Sequence, residues 1–95
     1  MYPGVVKVEA TDEHMLVLTF DNSECRLFDM VPYLHVGRYV ELRDIDVFKL
    51  VSVSFDTVEW ENGVDIDPEF LYAKSKQIVT PAGPRHPLRA LVTAP

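Results

Sequence analysis

The stretch VVKVEATDEHMLVLTFDNSECRLF, residues 5–28, decides the fold class. Val6, Val8 and Ala10 alternate with Lys7 and Glu9, the two-residue period of a strand with one wet face. Thr11-Asp12-Glu13-His14 is polar and reads as a turn. Met15 to Phe20 is short and rich in β-branched and aromatic types, so it reads as a strand with Leu16, Leu18 and Phe20 on one face. Asp21-Asn22-Ser23-Glu24 is a second turn, built from side chains that bond their own backbone. Cys25-Arg26-Leu27-Phe28 returns as a third strand. Loops this short join only antiparallel neighbours, so the three strands form a meander.

Downstream the pattern is mixed. Pro32 and Gly37 bracket a helical turn and a loop over the sheet, and Asp44 is placed to cap a short helix from Ile45 to Lys49. Val51, Val53 and Phe55 alternate with Ser52 and Ser54. Asp56-Thr57 turns the chain and Val58 to Glu61 alternates again, which predicts a second hairpin. Asn62-Gly63 marks another reversal, after which Val64 and Ile66 face one way and Asp65 and Asp67 the other. Asp67-Pro68-Glu69 is a helix start, with an acceptor at the N-cap and proline in the first turn. That helix is expected from Pro68 to about Lys76. The expected fold is α+β, an antiparallel sheet of about five strands packed by short helices, with Trp60, Tyr72, Phe70, Phe48 and Phe55 in the core.

Ninety-five residues make one domain. Charge divides it. Residues 1–72 hold all 15 acids and five basic side chains, a balance of −10, and residues 73–95 hold Lys74, Lys76, Arg85 and Arg89 and no acid. Residues 1–76 therefore read as the domain, and 77–95 as a basic arm punctuated by Pro81, Pro84, Pro87 and Pro95. Within that arm Leu88, Arg89, Ala90, Leu91 and Val92 form an apolar and basic segment suited to adding a strand to a sheet edge, of this chain or a partner. An acidic surface disfavours nucleic acid; a contact through the arm is the weaker alternative. One cysteine, Cys25, allows no intramolecular disulfide, and half-burial should leave it inert. Met1-Tyr2-Pro3-Gly4 lacks the features of a signal peptide, and no apolar run suits a membrane, so a cytoplasmic protein is expected.

Residues 60–72 read Trp60-Glu61-Asn62-Gly63-Val64-Asp65-Ile66-Asp67-Pro68-Glu69-Phe70-Leu71-Tyr72. This run resembles a bacterial family catalogued as domain of unknown function 2442. The family's hallmark is Trp, Pro, Asn, Gly, any residue and Asp, then an acid–Pro step and a Leu-Tyr ending. Leu18-Thr19-Phe20-Asp21-Asn22 with Phe28-Asp29, and Leu42-Arg43-Asp44 with Phe48, resemble two further patches of the same family. Glu61 replaces the proline after Trp60. Ser23 stands where the family usually has glycine, so a reshaped turn is expected if positive φ is needed there. The resemblance implies a small α+β fold and, in some settings, a toxin–antitoxin-like gene pair; it supplies no catalytic residues. Some members continue into a helix-turn-helix, but Pro81, Pro84 and Pro87 do not permit those helices, so DNA binding is not carried over.

The chemistry-bearing residues read as follows. Glu59, Glu61, Asp65 and Asp67 have strand spacing in pairs and would line one face if Asn62-Gly63 folds them together, a set of oxygens suited to Mg²⁺ or Ca²⁺ or to hydrolysis. The simpler reading has Asp65 fixing the turn and Asp67 capping the helix. His14, His35 and His86 are scattered and read as surface residues. No cofactor is implied. The expectation is a non-enzymatic interaction module with a protein partner or a second copy; the alternative is a metal- or ligand-binding protein using the acidic face.

Overall fold

A computed structural model describes residues 2–78. Six strands and two short α-helices follow in the order β1 (Val5–Ala10), β2 (Met15–Phe20), β3 (Cys25–Asp29), α1 (Ile45–Phe48), β4 (Val51–Ser54), β5 (Thr57–Trp60), α2 (Pro68–Lys74) and β6 (Lys76–Gln77). Two 3₁₀ segments, Val31–Tyr33 and Gly37–Arg43, cross between β3 and α1. The α+β class and the antiparallel pairing are as expected. The strands divide, however, between a four-stranded sheet ordered β1-β2-β3-β6 and a hairpin of β4 and β5. Among the described residues no helix is long and apolar enough to cross a membrane.

One turn recurs three times. Thr11 N–H donates to the Met15 carbonyl and His14 N–H to that of Thr11. Phe20 and Ser23 bond in the same way around Glu24, and Trp60 and Gly63 around Val64. Each is a three-residue loop whose last residue takes the left-handed conformation, at φ 63° for His14, 73° for Ser23 and 87° for Gly63. Only the third carries glycine. The departure at Ser23 therefore does not reshape its turn. The Asn22 carboxamide oxygen accepts Glu24 N–H at 3.0 Å and holds the serine in the strained region instead.

The inner face of the large sheet is Leu16, Leu18 and Phe20, flanked by Val5 and Phe28. Val5 pairs with Phe20 but Lys7 with Thr19, so Val6 is an extra residue and β1 bulges. The bulge corrects the simple alternation: Val5, Val8 and Ala10 face inward and Val6 turns out, 58% exposed. It also lets Val5 N–H reach the Asp56 carbonyl at 3.0 Å, which joins the large sheet to the hairpin tip. The core lies between that inner face and Leu42, Phe48, Val58, Trp60, Ile66 and Leu71, all buried.

The first α-helix ends at Phe48, with Lys49 as its C-cap, and Asp44 caps its start as expected. The second ends at Lys74, two residues before the expected Lys76. Ser75 turns extended because the Arg26 guanidinium takes its carbonyl and hydroxyl, each at 2.8 Å. Lys76 and Gln77 then pair with Leu27 and Arg26, and Ile78 is buried. The fold thus takes in Gln77 and Ile78, assigned above to the arm, and Lys74 and Lys76 belong to the folded part. Leu88, Arg89, Ala90, Leu91 and Val92 lie outside the described residues.

Phe55 is the other correction. The hairpin turns on Phe55-Asp56, one residue earlier than expected, and Ser54 pairs with Thr57. The Thr57 hydroxyl donates to the buried Ile66 carbonyl at 2.6 Å, which keeps Thr57 in β5. A two-residue turn needs positive φ at both corners, and Phe55 and Asp56 take 47° and 70°. Phe55 is 97% exposed rather than in the core.

Relief of one left-handed residue tests the turn analysis. Ser23→Gly is expected to stabilise the protein by about 1 kcal/mol in urea unfolding, since a side chain in that region costs about 1–2 kcal/mol and the greater freedom of unfolded glycine offsets part of the gain. Unchanged or lower stability would contradict it.

Candidate interaction site

Most of the motif residues 60–72 have structural duties, and some of them frame a cleft. The Trp60 indole N–H donates to the Phe48 carbonyl at 2.7 Å, with the ring 2% exposed and packed on Phe48. This fixes where β5 ends and where the next turn begins. In that turn the Asn62 carboxamide oxygen accepts Val64 N–H at 3.1 Å and its amide nitrogen donates to Glu41 at 2.7 Å. Gly63 supplies the positive φ. Asn62 therefore fixes the turn, not Asp65, whose backbone carbonyl accepts the Tyr39 hydroxyl at 3.1 Å.

Facing the turn is the 3₁₀ segment Gly37–Arg43. Arg38 donates to the Asn62 carbonyl at 2.7 Å and, more weakly, to Glu41 at 3.4 Å. Hydrogen bonds from Arg38 and then Asn62 hold the Glu41 carboxyl below its ordinary pKa, and burial with the nearby Asp65 charge raises that of the Tyr39 phenol. Between the two elements lies an open cleft of about 300 Å³, lined by Val36, Gly37, Arg38, Tyr39, Gly63, Val64 and Asp65. A Cβ placed on Gly37 or Gly63 would meet nothing within 4 Å, so both peptides face open space. The Arg38 Nη1 group has no partner among the described residues. The cleft thus offers valine side chains, two bare peptide faces, a phenol and a guanidinium, surfaces that suit a flat apolar or aromatic group.

The acidic residues do not assemble as the metal alternative requires. Glu59 and Asp65 face each other in a lone antiparallel bridge, and Glu61 is exposed in the turn. The Asp67 carboxylate accepts Phe70 N–H at 3.1 Å, the cap expected of it. Among the described residues no three His, Cys, Asp or Glu side chains are grouped to hold an ion. His14 is more than a surface residue: its Nε2 lies 3.0 Å from the Leu42 carbonyl and 3.2 Å from that of Arg43, with the ring against Phe48. Both partners are acceptors, so Nε2 carries the proton. The ring thereby pins the end of the 3₁₀ segment to the first turn.

Tyr72 closes the motif in a separate cluster. Its hydroxyl donates to Glu24 at 2.9 Å, Arg26 pairs with the same carboxylate at 2.9 Å, and the guanidinium carbon lies 4.3 Å from the Tyr72 ring centre. The group ties α2 to β3 and the second turn.

Residues 5–77 match the family described as Protein of unknown function (DUF2442). The chain belongs to this family. No curated protein and no solved structure gives a match. Within the DUF2442 match, Trp60, Asn62, Gly63, Asp67, Pro68, Leu71 and Tyr72 serve the indole anchor, the turn, the helix cap and the packing of α2. Sequence reading singled out Asn62, Gly63 and Asp65 as family-motif residues without assigning them to a cleft. It missed Val36, Arg38, Tyr39 and Glu41, whose only signal was Gly37 in an irregular run.

The Glu24 cluster predicts an acid dependence. The Tyr72 hydroxyl, with Arg26, holds the Glu24 carboxyl below its ordinary value. A carboxylate with a depressed folded pKa contributes stability above its unfolded value, about 4.3, and loses it as pH falls through the lower folded value. Glu24→Gln should therefore lower the melting temperature at neutral pH, and the gap to wild type should close as pH falls below about 4. A gap of the same size at every pH would contradict this.

Proposed function

We propose that this protein is a small non-enzymatic interaction module whose cleft between Gly37–Arg43 and the Asn62-Gly63 turn receives an aromatic side chain of a protein partner. The observation that carries the reading is the pair of glycine peptides open to solvent beside Val36, Val64 and the uncommitted Arg38 amino group. Val36 is 47% exposed, both glycine faces are open and the Arg38 Nη1 group has no partner among the described residues, while Val64 is buried in the core beneath them. These surfaces match what a flat ring needs: apolar contact on its faces and a cation beside it. A regulatory or toxin–antitoxin-like pair, the setting the family resemblance implies, would use such a docking site.

N-acetyl-phenylalanine amide is a suitable probe. Titrated to millimolar concentration, it should shift the amide resonances of Gly37, Gly63 and Val64 in a saturable way, and Val36→Asp should abolish the effect while leaving the rest of the spectrum in place. Shifts scattered over the surface, or none, would overturn the reading.

A further inference from the structure

Phe55 is the most exposed large hydrophobic residue among the described residues, and no packing duty explains it. A bulky aromatic sits at 97% exposure in a backbone conformation that L side chains avoid. Its backbone is not loose. Asp56 beside it accepts Val5 N–H through its carbonyl, and its side chain lies so close to Gly4 that a Cβ there would stand 2.7 Å from Oδ1. The backbone of the tip is therefore held in place, with the ring projecting from it. Val53 precedes it by two residues and is 39% exposed, and Val6, turned out by the bulge, follows the Val5 that bonds the tip. Strain, exposure and a held backbone together are properties of an interface anchor.

Taking the cleft as an aromatic receptor, as proposed above, we propose that its occupant is Phe55 of a second copy of this chain. Shape favours that pairing, and a local charge pair offsets part of the repulsion between two copies that each carry −8 over the described residues, seven basic groups against 15 acids. The knob is Phe55 with the exposed carboxylate of Asp56 beside it; the cleft holds apolar walls with the remaining Nη1 group of Arg38 beside them. Ring meets valine and glycine faces while Asp56 meets Arg38. A chain does not fill its own cleft this way. The tip and the Asn62-Gly63 turn lie beyond opposite ends of β5, whose four residues alone span about 13 Å at ~3.3 Å per residue. That same separation makes a closed pair natural. With two copies related by a twofold axis and their β5 strands antiparallel, each tip lies over the other's cleft, and two knobs fill two holes.

The test is sedimentation equilibrium of the full chain, wild type and Phe55→Asn, from low micromolar to about 200 µM, a range that reports micromolar dissociation constants. Wild type should form a dimer and no larger species. Phe55→Asn should weaken association at least about tenfold, since truncating an anchor commonly costs more than 1 kcal/mol. Its melting temperature, read well below the wild-type dissociation constant, should not fall, because asparagine tolerates positive φ. A wild-type monomer throughout, or a dimer indifferent to Phe55→Asn, overturns the inference. In either case the amide titration with N-acetyl-phenylalanine amide still decides the cleft reading by itself.

Discussion

The bond from the Trp60 indole to the Phe48 carbonyl is the constraint on which the rest of this structure depends. It is buried, so each partner would be costly without the other. Phe48 ends α1 and Trp60 ends β5, so one contact holds the helix against the hairpin. From Trp60 the chain must reverse at once, because Trp60 N–H bonds Val64 and its carbonyl accepts Gly63 N–H. The Asn62 side chain and the Gly63 backbone fill that requirement. The cleft wall is thus a consequence of how the tryptophan is seated. The opposite wall is held by the bonds of Arg38 and Asn62 and by His14, which pins the far end of the 3₁₀ segment to the large sheet.

Left-handed backbone is the second theme. Three loops of one design close three strand reversals, and the hairpin tip adds two more positive-φ residues. Five non-glycine and glycine residues in this region, His14, Ser23, Phe55, Asp56 and Gly63, sit at strand reversals. At His14 and Ser23 side-chain bonds accompany the strain: a long-range one from the imidazole to two carbonyls, and a local one from Glu24 N–H to the Asn22 carboxamide. At Asp56 the backbone carbonyl joins two sheets. Among the described residues Phe55 alone has strain and no compensating contact, and it therefore supports association.

Much of this was legible in the sequence. Alternation gave β2 and β3, Asp44 and Asp67 gave both helix caps, and Asn62-Gly63 gave the turn. Three features were not legible, each for a physical reason. The bulge at Val6 arises from a contact with Asp56, fifty residues away, that no local period encodes. The early end of α2 follows from Arg26 capturing Ser75, again a long-range bond. Phe55 reads as core because its residue type and alternation say so; the turn moved by one residue because Thr57 found a buried acceptor in Ile66. For the site, the family motif held residues of one wall without marking a cleft, while the other wall lay in a 3₁₀ segment without periodicity. The charge division also sharpens. Lys74 and Lys76 belong to the fold, so residues 79–95 add only Arg85 and Arg89 as basic side chains.

Equilibrium urea unfolding of Trp60→Phe tests the central claim most directly. Phenylalanine keeps an aromatic ring in the core but removes the indole donor and leaves the Phe48 carbonyl buried and unpaired. The account predicts a loss of about 2–4 kcal/mol, the sum of that unpaired acceptor and the smaller ring. A variant within about 0.5 kcal/mol of wild type would show that the indole bond does not hold the structure together.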